Sequence, residues 1–121
     1  MTGHRQLVAW QRCHALALAV YRASDSFPQH ERFGLSSQLR RVAVSAPANI
    51  AEANARRGQG EFVHLLNVAL GSLGEVDALL QIALDLGYLQ TAQAQHLWEL
   101  HTEASRTTFG LKRSAARPRK C

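Results

Sequence analysis

Residues 61–87 read EFVHLLNVALGSLGEVDALLQIALDLG, and within them Phe62, Leu65, Ala69, Leu73, Val76, Leu80 and Ala83 follow one another at steps of three and four residues. A helix turns about 100° per residue, so these side chains share one face. A strand would need an apolar residue at every second position, and the stretch has no such alternation. Leu66, Leu70 and Leu84 form a second apolar row beside the first. The helix is therefore expected to be covered on two sides, by its own domain and by another subunit. Leu86-Gly87 closes it, since glycine adopts the left-handed conformation after a helix at little cost. Gly71 and Gly74 break the pattern, because each costs about 1 kcal/mol in a helix interior relative to alanine. With Ala78 they keep one side of the helix small, which points to another helix lying close against it rather than to a tolerated weakness.

Upstream, Leu7, Trp10, Ala17 and Tyr21 fall on one stripe, widened by Leu16 and Val20, which predicts a first helix over about Gln6–Ser24. Phe27-Pro28 ends it, because the proline ring disfavours helical geometry in the residue before it. A polar link follows from Gln29 to Gly34. A second helix is expected from near Ser36 to about Arg57, with Leu39, Val42, Ala43, Ala46, Ile50 and Ala53 as its apolar side and Gly58-Gln59-Gly60 as its stop. Pro47 lies inside it, removing a backbone donor and crowding the carbonyl of Ala43, so a kink is expected there. After Gly87, Thr91 is placed to cap a fourth helix carrying Leu97, Leu100 and Phe109. Short links favour antiparallel neighbours. The predicted fold class is all-α, an antiparallel up-down-up-down four-helix bundle over residues 1–111 with a basic tail at 112–121.

A chain of 121 residues, 46% apolar and 19% charged, fits one domain and is too short for two filled cores. It needs no disulfide or metal staple to fold. The net charge is +5, and Lys112, Arg113, Arg117, Arg119 and Lys120 supply all of it, leaving residues 1–111 neutral. Within that body the signs separate. Residues 32–60 carry Arg32, Arg40, Arg41, Arg56 and Arg57 against Glu52, whereas residues 61–111 carry Glu61, Glu75, Asp77, Asp85, Glu99 and Glu103 against Arg106. Cys13 and Cys121 lie at opposite ends and make neither a disulfide framework nor a zinc site, which indicates a reducing compartment. The longest apolar run, Ala15–Tyr21, is far below the roughly 20 residues that cross a bilayer. No signal-peptide cleavage pattern follows it. The expectation is a soluble cytoplasmic protein with no membrane partner.

On the second helix Gln38, Arg41, Ser45, Asn49, Glu52 and Arg56 share a stripe about 80° wide. One reading is a ligand or nucleic-acid surface. The other is a structural network in which Ser45, Asn49 and Glu52 meet Ser72 or Glu75 and satisfy carbonyls freed by Pro47; the unpaired groups a proline creates favour it. Arg40-Arg41 and Arg56-Arg57 suit a phosphate backbone, as do Lys112, Arg113, Arg117, Arg119 and Lys120 of the tail. The arginine pairs suit equally a head-to-tail contact with the acidic third and fourth helices of a neighbouring copy. A di-iron bundle needs two Glu-x-x-His pairs, and the sequence offers one, Glu61 with His64. His96 and His101 diverge on a helix, as do Cys13 and His14. Arg57 and His64 loosely resemble the Arg and His of HEPN ribonucleases, but a glycine-rich loop separates them. No metal, cofactor, small-molecule substrate or catalytic activity is expected.

The run Gln38-Leu39-Arg40-Arg41-Val42-Ala43-Val44-Ser45-Ala46-Pro47-Ala48-Asn49-Ile50-Ala51-Glu52, followed by Ala69-Leu70-Gly71-Ser72-Leu73-Gly74-Glu75, resembles the 23S rRNA intervening sequence proteins. Leu7 to Gln11, Tyr21, Phe27-Pro28, Glu31 and Leu86-Gly87-Tyr88-Leu89 are similar to that family's pattern as well. The resemblance covers about residues 6–90. It implies a small bacterial four-helix bundle that assembles into a ring, typically a homopentamer, with no known reaction. Members of the family are encoded within insertions of ribosomal RNA genes. Related bundles are accessory proteins of reverse transcriptases in diversity-generating retroelements, where they bind nucleic acid. The resemblance thus implies RNA, DNA or a reverse-transcriptase-like protein as partner. The sequence departs from the pattern at Ala53, where a glycine commonly follows the glutamate, so the end of helix two and its loop are expected to differ.

Overall fold

The computed structural model describes residues 3–56 and 58–115. Among them are four long helices, α1 (Val8–Ser24), α2 (Leu35–Ala55), α3 (Gln59–Asp85) and α4 (Thr91–Ala115), and no strand. Two short 3-10 turns, His4–Gln6 and Gln29–Glu31, precede α1 and α2. Each long helix lies beside two others: α1 and α3 both adjoin α2 and α4, and among the described residues the backbones of α1 and α3, or of α2 and α4, do not come close. That closed circuit is the packing of a helical bundle around one core.

The core follows the three-and-four spacing. On α3, Leu66, Ala69, Leu73, Val76, Leu80 and Ala83 are almost wholly removed from solvent, opposite Leu39, Ala43, Ala46, Ile50 and Ala53 of α2 and Leu16 and Val20 of α1. Each fully buried leucine or valine contributes about 1.5–3 kcal/mol from its transfer out of water. The buried stripe of α1 is Ala9, Cys13, Leu16, Ala17, Val20 and Ser24, with Leu7 and Trp10 partly buried beside it, so of the expected face only Tyr21 turns away from the core. Tyr21 is 43% exposed. Spacing admits Tyr21 because α1 is apolar on most of its circumference, so period alone does not place the edge of the stripe. On α4 the same correction applies: Leu97 is buried with Ala94, Ala104 and Thr108, while Phe109 faces outward.

The helix ends explain the links. Beyond α3, Gly87 has φ +80°, the amide of Tyr88 donates to the carbonyl of Ala83 at 2.9 Å, and the amide of Gly87 donates to Leu84 at 3.0 Å. This pair of bonds is a Schellman cap, and glycine is the residue its left-handed position favours. Thr91 is the first residue of α4 rather than its cap. Gln93 instead reaches back to accept from the amide of Gln90 at 3.0 Å, half of a capping box. Only residues 56–58 separate α2 from α3, and Gly60 is already helical. Ala53, where the family pattern has glycine, is fully buried two residues before α2 ends. Pro47 is buried in α2, and helix continues on both sides of it.

Gly71 and Gly74 receive no neighbour within the protomer: among the described residues no atom of another element lies within 4 Å of the point where a Cβ would stand at either one. Both are exposed, as is Ala78. Small side chains at the buried positions are alanines instead, Ala9 and Ala17 on α1, Ala43 and Ala46 on α2, Ala69 and Ala83 on α3, Ala94 and Ala104 on α4.

Candidate functional site

The polar stripe of α2 divides in two. At its centre, Ser72 on α3 donates to Ser45 Oγ at 2.9 Å, and the Asn49 amide donates to Ser45 Oγ at 3.0 Å and to the Ser45 carbonyl at 2.8 Å. Ser45, Asn49 and Ser72, three of the five residues of the expected network, thus meet half-buried on the α2–α3 seam, with a different reason for doing so. Asn49 serves the carbonyl of Ser45, not that of Ala43, which Pro47 deprives of its helical donor. Glu52 and Glu75 stand outside the network. Glu52 accepts from Arg56 at 2.8 Å, one helical turn away, and Glu75 is exposed with no ion pair among the described residues.

The basic residues sort by what already holds them. Arg40 is committed within the chain: its Nε donates to Ser24 Oγ at 2.7 Å, one terminal nitrogen reaches Asp25 at 2.9 Å and the Tyr21 carbonyl at 3.3 Å, and the guanidinium lies 4.9 Å from the Tyr21 ring centre. It fastens the start of α2 to the end of α1. Arg56 likewise pairs with Glu52 and, at 3.5 Å, with Glu61 across the α2–α3 turn, and these acids hold its pKa above the usual guanidinium value. Arg41 is exposed and makes no ion pair among the described residues. Lys112 and Arg113 lie in the last turns of α4, each about 5.7 Å from the Phe109 ring centre. Arg57, Arg117, Arg119 and Lys120 lie outside the described residues.

The candidates for chemistry lie apart from one another. Cys13 is buried against Thr108, 3.4 Å from its hydroxyl, and burial pushes the thiol up to about 11, so it is protonated at neutral pH. His14 stacks on Trp10 at 4.6 Å. His101 Nε2 is 2.7 Å from the Leu73 carbonyl, an interaction that ties α4 to α3. Glu61 faces Arg56, and no three His, Cys, Asp or Glu side chains converge as metal ligands among the described residues.

Two clusters went unread in the sequence as sites. Glu31 accepts from the Leu35 amide at 3.1 Å at the start of α2, and from the Tyr88 hydroxyl at 2.9 Å beyond α3, while Phe27 packs 5.6 Å from the Tyr88 ring. The amide and the hydroxyl hold the Glu31 carboxyl below its ordinary pKa, and the same carboxylate raises that of Tyr88. Fifty-seven positions separate the two residues, so local pattern could not join them. The second cluster surrounds Phe33, 88% exposed in the link before α2. An aromatic residue beside Arg32 in an otherwise polar link was its only signal.

The family model of the 23S rRNA-intervening sequence proteins matches residues 5–110, from the first turn through most of α4. The chain belongs to this family. Membership reaches past residue 90, where the sequence resemblance stopped, and takes in α4. Phe27, Glu31 and Tyr88, three of the residues on which the sequence resemblance rested, form one tertiary clamp at this end of the bundle beside Gly87. A protein of unknown function from the S23 ribosomal protein family of Bacteroides thetaiotaomicron, solved by crystallography, has the same fold. It superposes with a TM-score of 0.81 at 21% identity over 88% of this chain and 96% of its own. No curated protein matches the chain.

Proposed function

We propose that this chain is a non-catalytic, self-assembling scaffold of the bacterial cytoplasm, an antiparallel up-down-up-down bundle bent at Pro47 that closes with further copies into a ring. The antiparallel order draws support from pairs that run in opposite senses along the chain. Gln59 reaches the Ala115 carbonyl, His101 meets Leu73 and Trp98 donates to Asp77 between α3 and α4, while Arg40 at the start of α2 meets the end of α1. The bend rests on the cost of proline in a helix interior. A ring of five is the state the family resemblance implies.

The observation that carries assembly is the outer face of α3. Val68 (38% exposed), Gly71, Gly74, Ala78 and Ile82 (46% exposed) make it a strip in which Glu75 is the charged residue. α3 has the length and apolar content of a membrane span, yet its other face is core, so the uncovered strip is what needs a partner. Native mass spectrometry of the full chain tests this. The expected species is an integral multiple of the 13.4 kDa protomer, five for the ring, and a lone protomer at micromolar concentration would overturn it.

In the same reading the ring engages RNA, DNA or a reverse-transcriptase-like protein through basic residues that the protomer leaves unpaired, Arg41 foremost. The non-catalytic part rests on the buried, protonated Cys13 and on His101 being held by a backbone carbonyl. Affinity for nucleic acid is expected to fall steeply as salt rises, and to weaken when residues 112–121 are removed. Absence of any binding at low salt would remove the nucleic-acid role and leave assembly intact.

A further inference from the structure

A pocket of about 400 Å³ opens at the outer end of α1 and α2, lined by Tyr21, Arg32, Phe33, Ser37, Arg40 and Arg41. Its two rings each carry a guanidinium: Arg32 stands 5.3 Å from the Phe33 centre and Arg40 4.9 Å from that of Tyr21. Arg40 is neutralised by Asp25, but Arg32 and Arg41 form no ion pair among the described residues. Ser37 lies in the first turn of α2, where the helix dipole adds positive potential. Phe33 is 88% exposed, so its ring supports nothing in the protomer.

We infer that this pocket docks single-stranded nucleic acid, one unpaired base stacking on Phe33 while Arg32 and Arg41 take the adjoining phosphates. The inference rests on the nucleic-acid part of the function proposed above and adds the place and the strand state. An aromatic face beside free guanidinium groups is the recurring platform for unpaired bases, since every base has a π-face and every nucleotide a phosphate. In a duplex the bases already stack on one another and offer Phe33 nothing. A protein partner reading an apolar groove would find three arginines there instead.

Fluorescence anisotropy of the full chain with a labelled 15-nucleotide oligothymidine, and with a duplex of the same length, tests the inference. Phe33→Ala is expected to weaken single-strand affinity about tenfold and to leave duplex affinity unchanged, while Phe33→Trp keeps both. Arg41→Ala should weaken both and flatten the salt dependence. Removing so exposed a ring leaves no cavity, and circular dichroism confirms an intact fold. Unchanged single-strand affinity in Phe33→Ala, or equal losses on both probes, overturns the inference while the nucleic-acid role stands. A wild-type chain that binds neither probe at low salt overturns both. A drop in the assembled mass of Phe33→Ala shows a subunit contact instead, and also overturns it.

Discussion

The two faces of α3 both carry apolar side chains and have opposite surroundings. Inward, Leu66, Leu73, Val76 and Leu80 are enclosed by neighbouring helices; outward, Val68 and Ile82 stand in the open with Gly71, Gly74 and Ala78 between them. Periodicity picks out the row of Leu73 and the row of Leu66, Leu70 and Leu84, and both pack on the chain's own core; the strip of Val68 and Ile82 shows only in the coordinates. The lesson is that apolar spacing says a surface needs a neighbour without saying whether that neighbour lies in the same chain.

The largest expected difference between the faces is in folding stability. Leu73→Ala opens a cavity in the core and should lower the unfolding free energy by about 2–5 kcal/mol, measured by urea denaturation. Ile82→Ala, in protein dilute enough to be a single chain, should stay within about 0.5 kcal/mol of wild type. Similar losses for the two would break the comparison. Ser72→Ala, on the seam beside the core, removes one hydrogen bond to Ser45 and should cost about 1 kcal/mol. On the outer face Gly74→Ala should act with two signs. It raises the stability of the dissociated protomer by up to about 1 kcal/mol, because nothing blocks the new methyl group, and weakens association if copies pack there. A Gly74→Ala protein that associates as wild type does would show that the outer face is not closely packed between copies.

The smallest effect concerns the end clamp and depends on pH. The Glu31 carboxyl is held below its ordinary value of 4.5, so its contribution to stability is present above that pH and is lost as pH falls through the lowered folded value. The Tyr88 hydroxyl is held above its ordinary 10.0, so its contribution is present below that pH and is lost as pH rises through the raised folded value. Tyr88→Phe should therefore remove the alkaline edge of the stability profile and lessen the acid one, where the Leu35 amide still holds Glu31, read as melting temperature against pH. An unchanged profile would mean that the hydroxyl contributes nothing.

Much of the fold was legible because long helices repeat one signal many times. The four helices, the core of α2 and α3, and the glycine at the end of α3 all follow from spacing and from the conformational freedom of Gly87. What misled was ambiguity of rotation. Tyr21 and Phe109 satisfy a helical period as well as Leu16 and Leu97 do, and only packing against the two neighbouring helices settles which of them turn inward. Gly71 and Gly74 were read as a close approach; nothing among the described residues packs on them, and the small positions of the core are alanines. The polar network at Ser45, Asn49 and Ser72 was legible from helical register and the residue types. Arg40 was not: its partners Ser24 and Asp25 belong to another helix, so sequence could not tell a held arginine from the exposed Arg41 beside it. The Glu31–Tyr88 bond arises from tertiary placement and had no local signature, and Phe33 showed only as an aromatic residue in a polar link.

The outer face of α3 is most directly tested by light scattering over a dilution series, with wild type and Ile82→Lys run side by side and helical content followed in parallel. If copies meet on that face, wild type gives a mass several times 13.4 kDa, and the lysine variant falls toward a single chain at every concentration with its helices intact. Equal masses for the two proteins, whether both assembled or both single chains, would contradict it.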